Sequence, residues 1–178
     1  MFHLYHLVPR NFEGNTLYPL NMLRNRLPEV YEAHARKYEG REMLLTRRVP
    51  LLDCLWNDVL HFSPVHPEQI RDALRAVGYE WEPRRWFAVD PAACGFDAGN
   101  TVVYLYPARG RGDFATRDED YIAYDPALLE EVATLPQATA AYYAEAVAVG
   151  APIFVFHRIA HILHRGSIEC NRVKALEV

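Results

Sequence analysis

Residues 153–178 read IFVFHRIAHILHRGSIECNRVKALEV, and this stretch decides the fold class. It contains three short apolar runs that alternate as β-strands do, at residues 153–156, 162–164 and 173–178. The pair Arg165-Gly166 and a few polar residues separate the last two runs, so these strands follow one another without a helix between them. Direct succession of strands favours an α+β fold with a mixed or antiparallel β-sheet core over a parallel α/β sheet.

The rest of the chain mixes strands and flanking helices in a similarly irregular order. Further strands are predicted at residues 2–8, 43–49, 86–89 and 101–106. Helices are predicted after Pro67, after Asp125-Pro126 and over residues 137–149, since proline fits the first turn of a helix. No internal repeat or linker interrupts the 178 residues, which predicts one domain spanning 1–178.

Charge and cysteine content limit the class of protein. The formal net charge of −4 argues against non-specific nucleic-acid binding by the whole domain, although Arg41, Arg47 and Arg48 leave a local basic face open. Three cysteines without a CxxC pair favour a reducing, cytoplasmic location. No apolar run approaches the roughly 18 residues of a membrane span, so no membrane partner is expected.

Histidines supply most of the candidate functional residues. Seven of the eight fall into three groups, which are His3 with His6, His61 with His66, and His157 with His161 and His164. A lone histidine is more often a hydrogen-bonded core residue than a functional one. Seven histidines in three segments that a compact sheet can bring together indicate one candidate cleft.

A metal site is one interpretation of the last group. His157 and His161 would share a face if their segment were helical, and neutral imidazoles bind zinc, copper or nickel. The segment alternates like a strand, however, and no glutamate completes an HExxH motif. A metal-dependent hydrolase is therefore the third hypothesis, and no metal ligands are assigned.

Residues 51–67 contain many polar side chains among apolar ones. The polar and aromatic members are Asp53, Trp56, Asn57, Asp58, His61, Ser63 and His66. Asn and Asp favour caps, turns and binding sites, so the segment is either a pocket wall or a loop rich in caps. Ser63 lacks the GxSxG context of an activated serine, and the chain has no P-loop, GxGxxG or kinase motif.

Three segments together resemble the ADP-ribosyltransferase-like fold, particularly the DarT-type branch that modifies DNA. They are Leu4-Tyr5-His6, residues 57–64 (NDVLHFSP) and the closing strands that begin at Ile159. In that family an early strand carries a polar residue against NAD, and a late strand presents a catalytic glutamate. His161 stands where this glutamate would align.

The resemblance implies NAD as the cofactor and a site made from all three segments. It implies catalytic roles for His6, His61 and His161. It implies cofactor binding by Tyr5, Asn57, Ser63 and Arg158. The family's glutamate stabilises an oxocarbenium-like ribose, and a neutral histidine supplies no such charge. A non-catalytic module that binds a nucleotide, a nucleic acid or a protein is therefore the alternative, and a nucleic acid or protein would be the acceptor of a transferase.

Overall fold

The computed structural model describes residues 2–9, 12–36, 42–107 and 116–178. Within these ranges the helices are Leu20–Arg26 (α1), Pro28–Ala35 (α2), Pro67–Ala76 (α3), Pro126–Val132 (α4) and Gln137–Ala148 (α5). The strands are Leu4–Leu7 (β1), Thr16–Leu17 (β2), Arg48–Val49 (β3), Cys54–Leu55 (β4), Leu60–Phe62 (β5), Arg85–Val89 (β6), Thr101–Tyr104 (β7), Tyr121–Ala123 (β8), His161–His164 (β9), Ile168–Glu169 (β10) and Lys174–Glu177 (β11). None of the helices in the described ranges has the length and apolar character that crossing a bilayer requires.

The strands form two main sheets. One has four strands in the order β5-β9-β7-β8, and the other has three in the order β1-β6-β11. The short ladders β2-β10 and β3-β4 complete the set, and every pairing is antiparallel. The α+β fold with an antiparallel core and flanking helices is thus confirmed.

Proline lies in the first turn of three of the helices, and the sequence predicts two of these starts, those of α3 and α4. Pro28, Pro67 and Pro126 occupy the first turns of α2, α3 and α4, where a missing amide hydrogen costs no helical bond. The Asp125 carboxylate accepts a hydrogen bond from the Ala127 amide at 2.9 Å, which caps α4. Gly78 follows α3 with a φ of 82°, a left-handed conformation that glycine adopts without strain.

The two main sheets meet where β1 passes the end of β5. Tyr5 and Ser63 exchange two backbone hydrogen bonds of 2.8 Å in an antiparallel bridge. Leu4 and Phe62 lie beside this junction in the largest cluster of buried apolar residues. The first strand is therefore fixed against the segment that follows His61.

Two sequence predictions of secondary structure were wrong. Residues 43–49 form a short 3-10 helix, Glu42–Leu45, and only Arg48–Val49 is extended. Residues 153–156 form no strand, because their backbone groups bond to tyrosines of α5 instead of to a neighbouring strand. The Phe154 amide donates to the Tyr142 hydroxyl at 3.0 Å, and the Tyr143 hydroxyl donates to the Val155 carbonyl.

His164 is a structural histidine at the end of β9. It is 4% exposed, and the Phe96 ring stacks on it with 4.1 Å between ring centroids. Because the Thr101 hydroxyl donates to Asn100 Oδ1 at 2.6 Å, the ring must donate from Nδ1 to the Thr101 oxygen, 3.0 Å away. A Cβ at Gly166 would lie 2.8 Å from His164 Nε2, so this turn requires a glycine.

We expect His164 to make the fold sensitive to acid. Burial lowers the pKa of His164 from 6.5 to about 4, while Asp97 acts in the opposite direction. The unfolded chain therefore binds the proton first, and stability is lost as pH falls from 6.5 through about 4, by at most about 1.4 kcal/mol per pH unit. Urea denaturation at pH 7.5, 6.0 and 5.0 measures this slope. His61 and His161 also have pKa values lowered by burial, so His164→Gln removes one of three contributions and should make the slope shallower without abolishing it. Equal slopes in both proteins would contradict a contribution from His164.

Candidate functional site: an aromatic and histidine-lined cleft

The register of the four-stranded sheet puts His61 and His161 on one face. His61 pairs with Leu163, and Tyr104 pairs with His161. Side chains alternate along a strand, so residues 161 and 163 point to the same side, together with the partners opposite them. Two histidines from distant parts of the sequence therefore meet beside Tyr104.

Trp56 closes one side of this face. The short 3-10 turn Trp56–Asp58 precedes β5 and lays the indole against the sheet, leaving Trp56 8% exposed. Its ring centroid lies 4.6 Å from that of His61, 5.4 Å from that of Tyr104 and 6.2 Å from that of His161. We use the name aromatic cleft for the packed group of Trp56, His61, Tyr104, Tyr106 and His161, of which His61, Tyr106 and His161 are half-buried.

Arg47 brings a positive charge to the aromatic cleft. Its guanidinium carbon lies 4.8 Å from the centroid of the Trp56 ring, a cation–π contact. Burial is the main cause of the low pKa values of His61 and His161 and of the raised pKa of Tyr104, about 12, and the Arg47 charge acts on all three groups by lowering the pKa. Arg47 is half-buried, whereas the next residue, Arg48, is exposed and pairs with Asp53.

Hydrogen bonds to backbone carbonyls set the proton positions on two of the histidines. His61 Nε2 lies 3.0 Å from the Trp56 carbonyl, and His6 Nδ1 lies 2.8 Å from the His61 carbonyl. A carbonyl only accepts, so both nitrogens carry the proton. His61 Nδ1 is then the acceptor nitrogen of its ring.

Both histidines of the cleft are neutral at physiological pH. Burial is the main cause of the low pKa of His61, about 3, and the neighbouring His161, His6 and Arg47 lower it further. Burial likewise lowers the pKa of His161 to about 4. Hydrogen bonding to the backbone of Ala160 and Ile159 raises this pKa but does not offset the effect of burial. Among the described residues, no carboxylate takes part in either shift. The histidine rings of the cleft are therefore uncharged, and its positive charge comes from Arg47 beside Trp56.

Tyr106 extends the cleft from a left-handed backbone conformation. Its φ of 48° is unusual for a residue with a side chain, and such strain collects at functional sites. The ring lies 5.7 Å from that of His161, and its hydroxyl lies 3.1 Å from His157 Nδ1. Tyr142 packs on the far side of His157 with 4.1 Å between centroids. The row of rings thus continues from the sheet to α5.

His6 contacts the site through the hydrogen bond from its ring to the His61 carbonyl. Its ring contacts Phe62 at a centroid distance of 5.5 Å, so it lies at the seam between the two sheets. The structure brings His6, His61 and His161 into one region, but only His61 and His161 present their rings to the aromatic cleft.

The other residues that the resemblance implicates lie elsewhere. Tyr5 faces His66, with 4.8 Å between ring centroids, and Ser63 is buried with its hydroxyl bonded to Val65. Asn57 is 2% exposed, and its Nδ2 bonds to none of the described residues. Arg158 lines a separate cavity together with Ala160.

The helical metal site considered for His157 and His161 is not formed. His157 lies in a turn and His161 begins β9, so they do not share a helical face. Within the described ranges, no three His, Cys, Asp or Glu side chains come together in an arrangement that holds a metal ion.

Sequence reasoning missed part of the cleft. Arg47 was predicted only as part of a basic face with Arg41 and Arg48, and Arg41 lies outside the described residues. Tyr104 and Tyr106 stood in a predicted strand whose two faces look equally apolar, so nothing in the pattern separated cleft from core. Trp56 was the one residue whose flanking Asn and Asp marked it as unusual.

No protein-family model, no curated protein and no solved structure matches the chain. The residues of the cleft are therefore the basis on which a function is proposed.

Proposed function

We propose that the aromatic cleft binds NAD or a related nucleotide, and that the chain is an ADP-ribosyltransferase-like domain. The main support is the cation–π contact of Arg47 with Trp56 beside the half-buried rings of His61, Tyr106 and His161. A nucleotide complements both features, because its base stacks on aromatic rings and its phosphates accept hydrogen bonds from a guanidinium.

The neutral histidines suit the sugar of such a ligand. His61 Nδ1 accepts a hydrogen bond from a ribose hydroxyl, since Nε2 already donates to the Trp56 carbonyl. His6 contributes by holding the His61 carbonyl, which fixes the strand that carries the imidazole. With a pKa of about 3, His61 is a weak general base at neutral pH, so its proposed role is to orient the ligand.

ADP-ribosyl transfer needs a negative charge near the ribose. His161 occupies the position that the resemblance gives to the family's glutamate, and it is neutral. This observation favours a second candidate, a non-catalytic domain that binds the same nucleotide in order to recognise a nucleic acid or protein. Both candidates share the binding step and differ in chemistry.

Titrations with NAD, ADP-ribose and zinc chloride test the binding step. We expect NAD to raise the thermal unfolding midpoint, since a ligand that binds only the folded state stabilises it by about 2.7 kcal/mol at one hundred times its Kd. Zinc should leave the midpoint unchanged. Stabilisation by zinc alone would contradict nucleotide binding and support the metal-dependent hydrolase.

Nicotinamide release separates the transferase from the binder. NAD is incubated with the protein and with single-stranded DNA, RNA or a protein extract, and nicotinamide is detected by mass spectrometry. Release that depends on an acceptor supports transfer. Tight NAD binding without release under any of these conditions rejects transfer and retains the binding module.

A further inference from the structure

A cavity lies on the side of the four-stranded sheet opposite the aromatic cleft. It is a cavity of about 310 Å³ between the end of α4, the α4–α5 connection and the segment before β9. Its volume is at the lower end of the range for small-molecule sites. Its walls include Leu105, Val132, Leu135 and Ala160, and its charged members are Glu131 and Arg158.

The cavity is separate from the aromatic cleft. Ala160 belongs to the buried cluster that contains Phe62 and Ile162, whereas the cluster on the cleft side contains Trp56 and Tyr104. A ligand in one site therefore does not touch the rings that line the other.

Hydrogen bonds hold the walls of the cavity in place. The side-chain amide of Gln69 donates to the Ala133 carbonyl at 3.1 Å and accepts from the Leu135 amide at 3.0 Å, which clamps the α4–α5 connection to α3. The Thr139 hydroxyl donates to the His157 carbonyl at 3.0 Å, which fixes the segment that leads to Arg158. A site built on such rigid supports loses little entropy when it binds a ligand.

Arg158 is held in a conformation that residues with side chains rarely adopt. Its φ is 61°, and the flanking backbone is fixed by bonds from the His157 amide to the Phe154 carbonyl at 2.9 Å and from the Ile159 amide to the Phe156 carbonyl at 3.2 Å. Strain of this kind persists where the surroundings determine the backbone, and it is common at ligand sites. Among the described residues, Arg158 forms no ion pair within 4 Å.

We propose that this cavity binds a small amino acid with an apolar side chain. The Arg158 guanidinium receives the carboxylate, for which its planar fork is well shaped, and the Glu131 carboxylate receives the ammonium group. The aliphatic or aromatic side chain lies against Leu105, Val132, Leu135 and Ala160. The two opposite charges and the apolar wall thus match the three parts of one ligand.

Isothermal titration calorimetry with leucine and phenylalanine tests the proposal. Matched probes lack one group each, namely 4-methylpentanoate without the ammonium and 3-methylbutylamine without the carboxylate. We expect leucine or phenylalanine to bind at least tenfold more tightly than both analogues. Equal binding of 4-methylpentanoate, or no binding of either amino acid at millimolar concentration, would overturn the assignment.

Variants locate the binding to this cavity. Arg158→Gln and Glu131→Gln should each weaken amino-acid binding about tenfold or more, whereas Glu130→Gln, which changes the neighbouring exposed glutamate of α4, should leave it unchanged. Val132→Phe fills the cavity and should abolish binding, which keeps the test decisive if Arg158→Gln does not fold. Glu131→Gln and Val132→Phe should retain NAD binding, so this proposal and nucleotide binding succeed or fail separately. Undiminished amino-acid binding in Val132→Phe would contradict the location.

Discussion

Replacing Trp56 with alanine is expected to lower the free energy of unfolding by about 3–5 kcal/mol, the usual cost of removing a buried tryptophan. The indole is 8% exposed and packs in one cluster with Val59, Tyr104 and Leu163, so its loss leaves a cavity under the 47–59 segment. Urea denaturation of wild type and variant at pH 7.5 measures the difference.

Trp56→Phe is the matched control for this prediction. It keeps an apolar ring between Arg47 and the sheet, and we expect it to retain most of the stability and part of the nucleotide affinity. A loss below about 1 kcal/mol in Trp56→Ala would show that the segment does not depend on the indole, and the description of the cleft wall would be wrong.

Arg47→Gln is expected to weaken NAD binding by about tenfold or more, because a guanidinium bonded to phosphate contributes a charge-assisted hydrogen bond. Its effect on the free energy of unfolding should be smaller, on the order of the 0.5–1 kcal/mol that a partly exposed cation–π contact contributes. Calorimetric titration with NAD at low and high salt measures the affinity and its electrostatic share.

Arg48→Gln is the control that the chain itself offers. Arg48 has the same charge one residue away, but it is exposed and pairs with Asp53 in the β3–β4 turn. The variant should bind NAD as the wild type does. An equal loss of NAD affinity in Arg47→Gln and Arg48→Gln would show that affinity depends only on net charge. That result would contradict a specific contact between Arg47 and the nucleotide.

Local rules explain why much of the fold follows from the sequence. The helix starts at Pro67 and Asp125-Pro126 depend on a cap and a proline within one turn, so they are visible without tertiary information. The segment at residues 153–156 has the pattern of a strand, but tyrosines from α5 satisfy its backbone. No local pattern contains that information.

The candidate site was also predictable only in part from the sequence. The prediction that distant histidine segments meet agrees with the placement of His61 and His161, since both lie on strands of one sheet. The direction of a side chain at a segment end is set by long-range contacts. Arg158, which the resemblance implicates in cofactor binding, lines the cavity on the other side of the sheet. The contribution of Arg47 also depends on a contact with Trp56 that sequence spacing does not reveal.

The proposed function depends on nucleotide binding by the aromatic cleft, and NAD titration of three proteins measures that binding. Wild type, Arg47→Gln and Arg48→Gln are compared by isothermal titration calorimetry at pH 7.5 and constant salt. We expect wild type and Arg48→Gln to bind NAD saturably. We expect the Kd of Arg47→Gln for NAD to be higher by about tenfold or more. No measurable NAD binding by the folded wild-type protein, or the same Kd in all three, would contradict it.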